Sequence, residues 1–389
     1  MATKTKTRTT PAKKAAKGRS PAARAPTGPL TLAQARALVQ AAQPAPKAAP
    51  RAARAARAAA PRRAASPAAT RAAAAATTPA SIAIERRKLA IAEREDLKQR
   101  MRDYKATFAL LQKHGVKGLT AAAPAARPRR RRAPGAAAPA PGGPLRILAE
   151  GDSWFDYPVP FFGGGLVPRL EQRLGVPILN LAKAGDESRY MLGVEQRQLI
   201  AQQFRNGAAD GNPWELMLFS GGGNDIVADP LALWLRDFSA GVPPAQLLNG
   251  PRFASALALV RAAYEDLIEI RNLLSPQTHL VFHAYDFVLP DGRGICHLGP
   301  WLKPAFDLRG FPGDLVASGQ VVREMLQQFA AMLGALATQP RVTFINAQGT
   351  LAPVKASWHN EMHPSKGGFN QIADIFHAGI KALFPGRVL

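Results

Sequence analysis

The sequence predicts a three-layer α/β/α sandwich of flavodoxin-like type, a parallel sheet in the order 2-1-3-4-5, preceded by a disordered basic arm and a helical segment. Three observations predict it. From residue 144 onward short apolar runs alternate with helix-length amphipathic stretches, the pattern of a parallel sheet covered on both faces. The charge divides the chain: residues 1–143 carry 31 Lys and Arg against 5 Asp and Glu, whereas residues 144–389 carry 20 against 22, within an overall formal charge of +24. The second portion is near neutral and long enough to bury a single core. Finally, residues able to do chemistry follow the apolar runs, as expected where a functional crevice lies beyond the carboxyl ends of parallel strands.

Taken in order, residues 1–80 consist mostly of Ala, Pro, Lys, Arg and Thr, with no acidic residue before Glu85. So little large apolar surface does not offset the entropy of ordering, and disorder is expected, with a short helix over Leu30 to Ala42 as a local exception. An unscreened cationic arm attracts polyanions, nucleic acid or an anionic surface among them. A solubilising tail without a dedicated partner accounts for it equally well, because no aromatics are interleaved for base stacking.

Residues 81–115 differ in kind. Leu97, Met101, Tyr104, Phe108 and Leu111 alternate in spacings of four and three, and Gly115 supplies a stop. Two readings stay open: a coiled-coil or hairpin seam over 90–111 that makes a homo-oligomer, or an amphipathic helix docked on its own domain. Residues 116–143, with Arg127 to Arg132, read as a Pro- and Arg-rich linker.

A single cysteine, Cys296, precludes an internal disulfide framework. No apolar run reaches the length of a membrane span, and no apolar core follows the N-terminal Met-Ala-Thr-Lys. A cytoplasmic location is expected, with an organellar transit peptide as the weaker alternative.

In the domain expected over 144–389, strand candidates are 145–149, Val176–Leu181, Glu215–Phe219, His279–His283 and Val342–Ile345. Helical stretches lie near 166–174, 188–204, 253–274, 315–337 and 366–383. The first strand ends in Gly151-Asp-Ser153, the second leads to Gly185, the third to Ser220-Gly-Gly-Gly-Asn224, and the fifth to Trp358-His-Asn-Glu-Met-His363-Pro364. A hydroxyl, a backbone N–H, a carboxamide and an imidazole at one rim are the parts acyl transfer needs.

These four blocks, in this order, resemble the SGNH (GDSL-type) hydrolases over residues 144–385, and none of the arm. The resemblance implies a serine ester hydrolase without a cofactor or metal, acting on a carboxylic ester. It implies Ser153 as nucleophile, His363 as base, and the N–H groups of Ser153 and Gly185 with the Asn224 side chain as oxyanion hole. The family's acidic residue three positions before the histidine is here Asn360. An amide can orient an imidazole but cannot neutralise the imidazolium, so Glu361, Asp286 or a backbone carbonyl compete for that place. Asp152 is expected to be a structural hydrogen-bonding residue, and His279, His283, His297 and His359 structural or peripheral. The aromatic and Gly-rich stretch Trp154–Gly165 and the long segment Asp286–Asp314 read either as walls of a pocket or as packing at the sheet edge.

Overall fold

A computed structural model of the chain describes residues 28–43, 79–119, 143–157, 164–295 and 298–389. Most of the basic arm and the linker 120–142, on which the polyanion reading rests, lie outside the described residues, as do Phe161 and His297.

Five strands, β1 (Ile147–Gly151), β2 (Ile178–Asn180), β3 (Leu216–Ser220), β4 (His279–Ala284) and β5 (Val342–Asn346), form one sheet in the order β2-β1-β3-β4-β5. All neighbours pair in parallel, with Gly151 opposite Ser220 at the end of the β1–β3 ladder. Every residue of β1 and β3 is buried, as expected for central strands with helices on both sides, whereas the edge strand β5 is partly open. Glycine at 151 is required by closeness alone, because a Cβ there would lie 2.5 Å from the carbonyl oxygen of Ser220.

Besides short helical turns, the helices of nine residues or more among the described residues are α1 (Leu32–Ala42), α2 (Pro79–His114), α3 (Leu166–Leu174), α4 (Val194–Asn206), α5 (Gly250–Leu274), α6 (Val316–Leu336) and α7 (Lys366–Leu383). Helix α3 packs with α7, while α5 packs with α4 and α6. Caps fix several starts. Thr31 and Gln34 form a reciprocal capping box on α1, and Ser365 Oγ accepts the N–H of Gly368 at the start of α7. That second cap fixes the chain two residues after His363.

The short helix expected over Leu30 to Ala42 is α1, which buries Leu32, Ala35 and Val39, with Leu30 buried just before it. Those aliphatics are what the rest of the arm lacks. Of the two readings open for the stripe on α2, the structure has the helix docked on its own domain: Tyr104, Phe108 and Leu111 are buried in this chain's own core, with Tyr104 5.6 Å from the ring of Trp214. Burying each contributes roughly 1.5–3 kcal/mol, which a seam between copies would have to replace. Among the described residues no helix is long and apolar enough to cross a membrane.

Candidate active site

The site forms where β1, β2, β3 and the segment after β5 end. Beyond β1 the chain turns sharply: Phe155 and Asp156 donate their N–H groups to the Asp152 carbonyl at 3.1 and 3.0 Å, and Trp154 N–H donates to Asp152 Oδ1 at 2.9 Å. The turn points Ser153 toward the segment that carries His363, and the Ser153 Oγ–His363 Nε2 distance is 2.6 Å. Trp154 reinforces the approach by donating its indole N–H to the carbonyl of Met362, at 3.2 Å.

His363 is held in one tautomer. The N–H groups of Met362 and His363 both point at one side-chain atom of Asn360, at 3.0 and 2.9 Å. Backbone N–H groups only donate, so that atom is the amide oxygen. It also lies 2.9 Å from His363 Nδ1, which must therefore carry the ring hydrogen. Nε2 is left with its lone pair toward Ser153. Burial, and secondarily the neighbouring His359, lowers His363 to about 3, so the ring is neutral at ordinary pH.

The alternatives for the third position point elsewhere. Glu361 is fully buried and accepts four backbone N–H groups, from Gly292, Trp301, Leu302 and Lys303, at 2.5–2.9 Å. It shapes the segment after β4 rather than the histidine. Asp286 accepts the N–H groups of Phe287, Gly349 and Leu351 and so ties the ends of β4 and β5 together. A backbone carbonyl is not needed at Nδ1, because the amide oxygen of Asn360 occupies that place.

Asp152 accepts from Ser220 Oγ at 3.0 Å and from the Tyr285 hydroxyl at 2.5 Å, and Tyr285 in turn accepts the N–H of Gly223. The carboxylate therefore joins the turns after β1 and β3. Asn224 lies just inside the short helical turn Gly223–Ile226 and donates one amide hydrogen to the carbonyl of Asp186, at 2.9 Å. Gly185 lies in the loop after β2 with φ +87°, a conformation that favours glycine. That loop is fastened to β1 by Lys183 N–H on the Gly151 carbonyl, at 2.9 Å. An apolar cavity of about 30 Å³ opens beside Ser153, lined by Trp154, Gly223, Asn224, Ile226, Leu326 and Met362, with Tyr285 and Val288 at its wall.

Tyr157 was not singled out by its sequence context. Its ring stacks on His363 at 4.4 Å, and its hydroxyl accepts from Asn360 Nδ2 at 3.2 Å and lies 2.7 Å from His359 Nδ1. His359, expected to be peripheral, thus belongs to the same hydrogen-bonded line. Tyr157 lies in the aromatic stretch expected to line a pocket or pack the sheet edge, and nothing in that stretch distinguishes it from its aromatic neighbours. Trp301, from the segment after β4, sets its ring edge-on to His363 at 5.9 Å, so this segment does form a wall of the site. His279 bonds Thr343 Oγ1 within the sheet, and His283 is enclosed by Trp154, Phe155, Tyr285 and Phe376. Among the described residues no three or more His, Cys, Asp or Glu side chains are grouped to hold a metal ion.

The buried ionisable groups give the fold a pH signature. His363 and His283 are lowered by burial, to about 3 and about 4, from an ordinary 6.5. Below that value the unfolded chain takes up protons that the fold refuses, so stability falls as pH drops. Burial pushes Glu150 up to about 8 and Asp152 up to about 6, so the fold retains protons that the unfolded chain sheds, and stability falls as pH rises. Asp186 is likewise raised to about 6, and above pH 7 the loss at Glu150 is the main one left, so urea midpoints are expected to decline from about pH 7 to pH 9. Glu150→Gln should flatten the alkaline side, and a midpoint that climbs steadily to pH 9 would contradict the assignment.

The sequence model of the GDSL-like lipase/acylhydrolase family matches residues 149–370, more than half of the chain. A search of curated proteins gives no match. Among solved structures the chain is similar to the lipase Lip_vut3 from a goat rumen metagenome, at 17% identity and a TM-score of 0.40, covering 60% of this chain and 96% of that one. It is also similar to an extracellular lipase from Streptomyces rimosus, at 15% identity and TM-score 0.38, covering 60% and 99%. A third, the carbohydrate acetylesterase Est24 from Sinorhizobium meliloti, has 13% identity and TM-score 0.36, covering 62% and 100%. With the family match running from within β1 through β5, the chain belongs to the GDSL-like lipase/acylhydrolase family and is a carboxylic ester hydrolase.

Proposed function

We propose that this protein hydrolyses short-chain carboxylic esters through an acyl-enzyme, with Ser153 as nucleophile and His363 as base. The observation that carries the reading is the unbroken line Ser153 Oγ, His363 Nε2, His363 Nδ1, Asn360 Oδ1, at 2.6 and 2.9 Å. Ser153 Oγ attacks the ester carbonyl carbon while its proton passes to Nε2. The carbonyl π electrons move to oxygen, and that charge is received by the N–H groups of Ser153 and Gly185 and by the amide hydrogen of Asn224 not used by Asp186. Collapse of the tetrahedral intermediate expels the alcohol oxygen, which takes the proton from Nε2. Water then repeats the sequence on the acyl-enzyme, and the acid leaves. Losing one oxyanion donor typically costs about 10²–10³ in rate.

The cavity decides acyl size. His363 is not among its lining residues, whereas Ser153 and Asn224 are, so the group it receives is the acyl part and not the departing alcohol. At about 10–15 Å³ for one water-sized group, 30 Å³ accepts two or three non-hydrogen atoms. Against p-nitrophenyl esters, kcat/KM is expected to fall at least about tenfold from acetate to octanoate, one misfit of about 1.4 kcal/mol or more. Leu326→Ala should narrow that ratio by enlarging the floor. Equal rates along the series would remove the size argument, and no turnover of any ester, with no labelling of Ser153 by a fluorophosphonate, would remove the reading itself.

A further inference from the structure

We propose that α2, a segment outside the family-matched residues, is a working part of the site, and that its Arg100 is a positioning residue joining the nucleophile turn to the oxyanion loop. The inference rests on the reading of Ser153 and Gly185 given above.

Arg100 reaches both loops at once. Its Nη2 donates to both carboxylate oxygens of Asp156, at 3.0 and 3.1 Å, and its Nη1 donates to the carbonyl of Ala182, at 3.1 Å. Asp156 closes the turn that presents Ser153, since its own N–H is bonded to the Asp152 carbonyl. Ala182 opens the loop that carries Gly185. One planar guanidinium therefore sets the separation between the two loops, through the fork geometry that arginine alone offers among the cations. Nε is held by Asp96, one turn earlier on the same helix, at 2.6 Å, so the plane cannot rotate freely.

The helix itself is anchored. Tyr104 follows Arg100 by four residues, hence lies on the same face, and with Phe108 and Leu111 it is sunk in the core. A second ion pair, Glu93 to Lys183 at 3.0 Å, ties the helix to the loop after β2 about two turns nearer its N-terminus. Within the domain, Asn180 makes the neutral counterpart by donating to the Phe155 carbonyl and accepting from Ala182 N–H. The loops are therefore joined without α2, and α2 tightens the joint from outside. On this helix Tyr104, Phe108 and Leu111 belong to the core of the fold, whereas Arg100 acts on the geometry of catalysis.

This predicts a rate effect without a binding effect. In the full chain, Arg100→Ala should lower kcat for p-nitrophenyl acetate about tenfold, with KM changed less than threefold, and should slow fluorophosphonate labelling of Ser153 in the same proportion, because a small displacement of reacting groups is costly in rate. Arg100→Lys, which keeps the charge and loses the fork, should fall between Arg100→Ala and the unaltered chain. Lys98→Ala, which removes only an exposed pair with Glu95 on the same helix, should leave kcat unchanged. Thermal melts identify a temperature at which each variant is fully folded, and the rates are compared there. A kcat for Arg100→Ala within twofold of the unaltered chain would overturn the proposal, as would a change confined to KM. If Ser153 is not labelled in the unaltered chain, the underlying reading fails instead, so the two failures are distinguishable.

Discussion

Ser153→Ala is expected to lower ester turnover by about 10⁴-fold or more while leaving the fold in place. In the proposed mechanism the substitution removes the atom that forms the acyl-enzyme, and no group nearby replaces it: Asp152 is committed to Trp154, Ser220 and Tyr285, and Ser220 Oγ is committed to Asp152. Structurally the change is small. Ser153 is already buried, and the hydroxyl's one hydrogen bond, to His363, contributes on the order of 1 kcal/mol. Steady-state rates on p-nitrophenyl acetate, with a melting curve of the same preparation, give the answer. Turnover above a hundredth of normal in a clean, folded sample would mean that another nucleophile does the work.

The second large effect concerns Asn360. Its amide oxygen fixes the Nδ1 hydrogen of His363 and two backbone N–H groups in one turn, so Asn360→Ala should release the ring and lower kcat by about 10²-fold, the cost of an imidazole displaced by roughly 1 Å. Asn360→Asp is the more telling variant. The carboxylate retains the three accepted bonds and adds a charge beside the ring, which favours the imidazolium. His363 should then titrate above its present value of about 3, and the acid limb of kcat/KM should move to higher pH. The neutral rate should not fall, because the imidazolium formed during attack now has a counter-charge. An acid limb that stays in place would show that Asn360 does not govern the ionisation of His363. A near-normal rate in Asn360→Ala would reduce the site to a serine–histidine pair.

Much of this was legible in the chain. The five apolar runs became β1 to β5 within two or three residues, because parallel strands covered on both faces are mostly apolar, with Glu150 the buried exception in β1. The helical stretches expected near 166–174, 315–337 and 366–383 are α3, α6 and α7, to within one residue at each end, because their amphipathic period is local. The stretch expected as one helix over 188–204 is broken at Gly193, which caps the helix starting at Val194. The positions of Ser153, Asn224 and His363 beyond strand ends were fixed by the same alternation.

What the chain could not disclose was direction. Asn360 and Glu361 are adjacent, and nothing in their order says which faces His363, since in a tight turn successive side chains leave on different sides. The roles of Tyr157 and Tyr285 depend on two loops 130 and more residues apart closing on one carboxylate and one amide. The apolar stripe of α2 was visible, but a stripe specifies only that it will be covered and not by what. The sequence alone therefore determined where the strands and helices fall along the chain and the chemical types of the residues that follow each strand, because hydrophobic period is a local property. Only the tertiary structure decided that an amide orients the histidine and that α2 closes on its own domain, because both depend on which groups long-range packing brings within about 3 Å for a hydrogen bond.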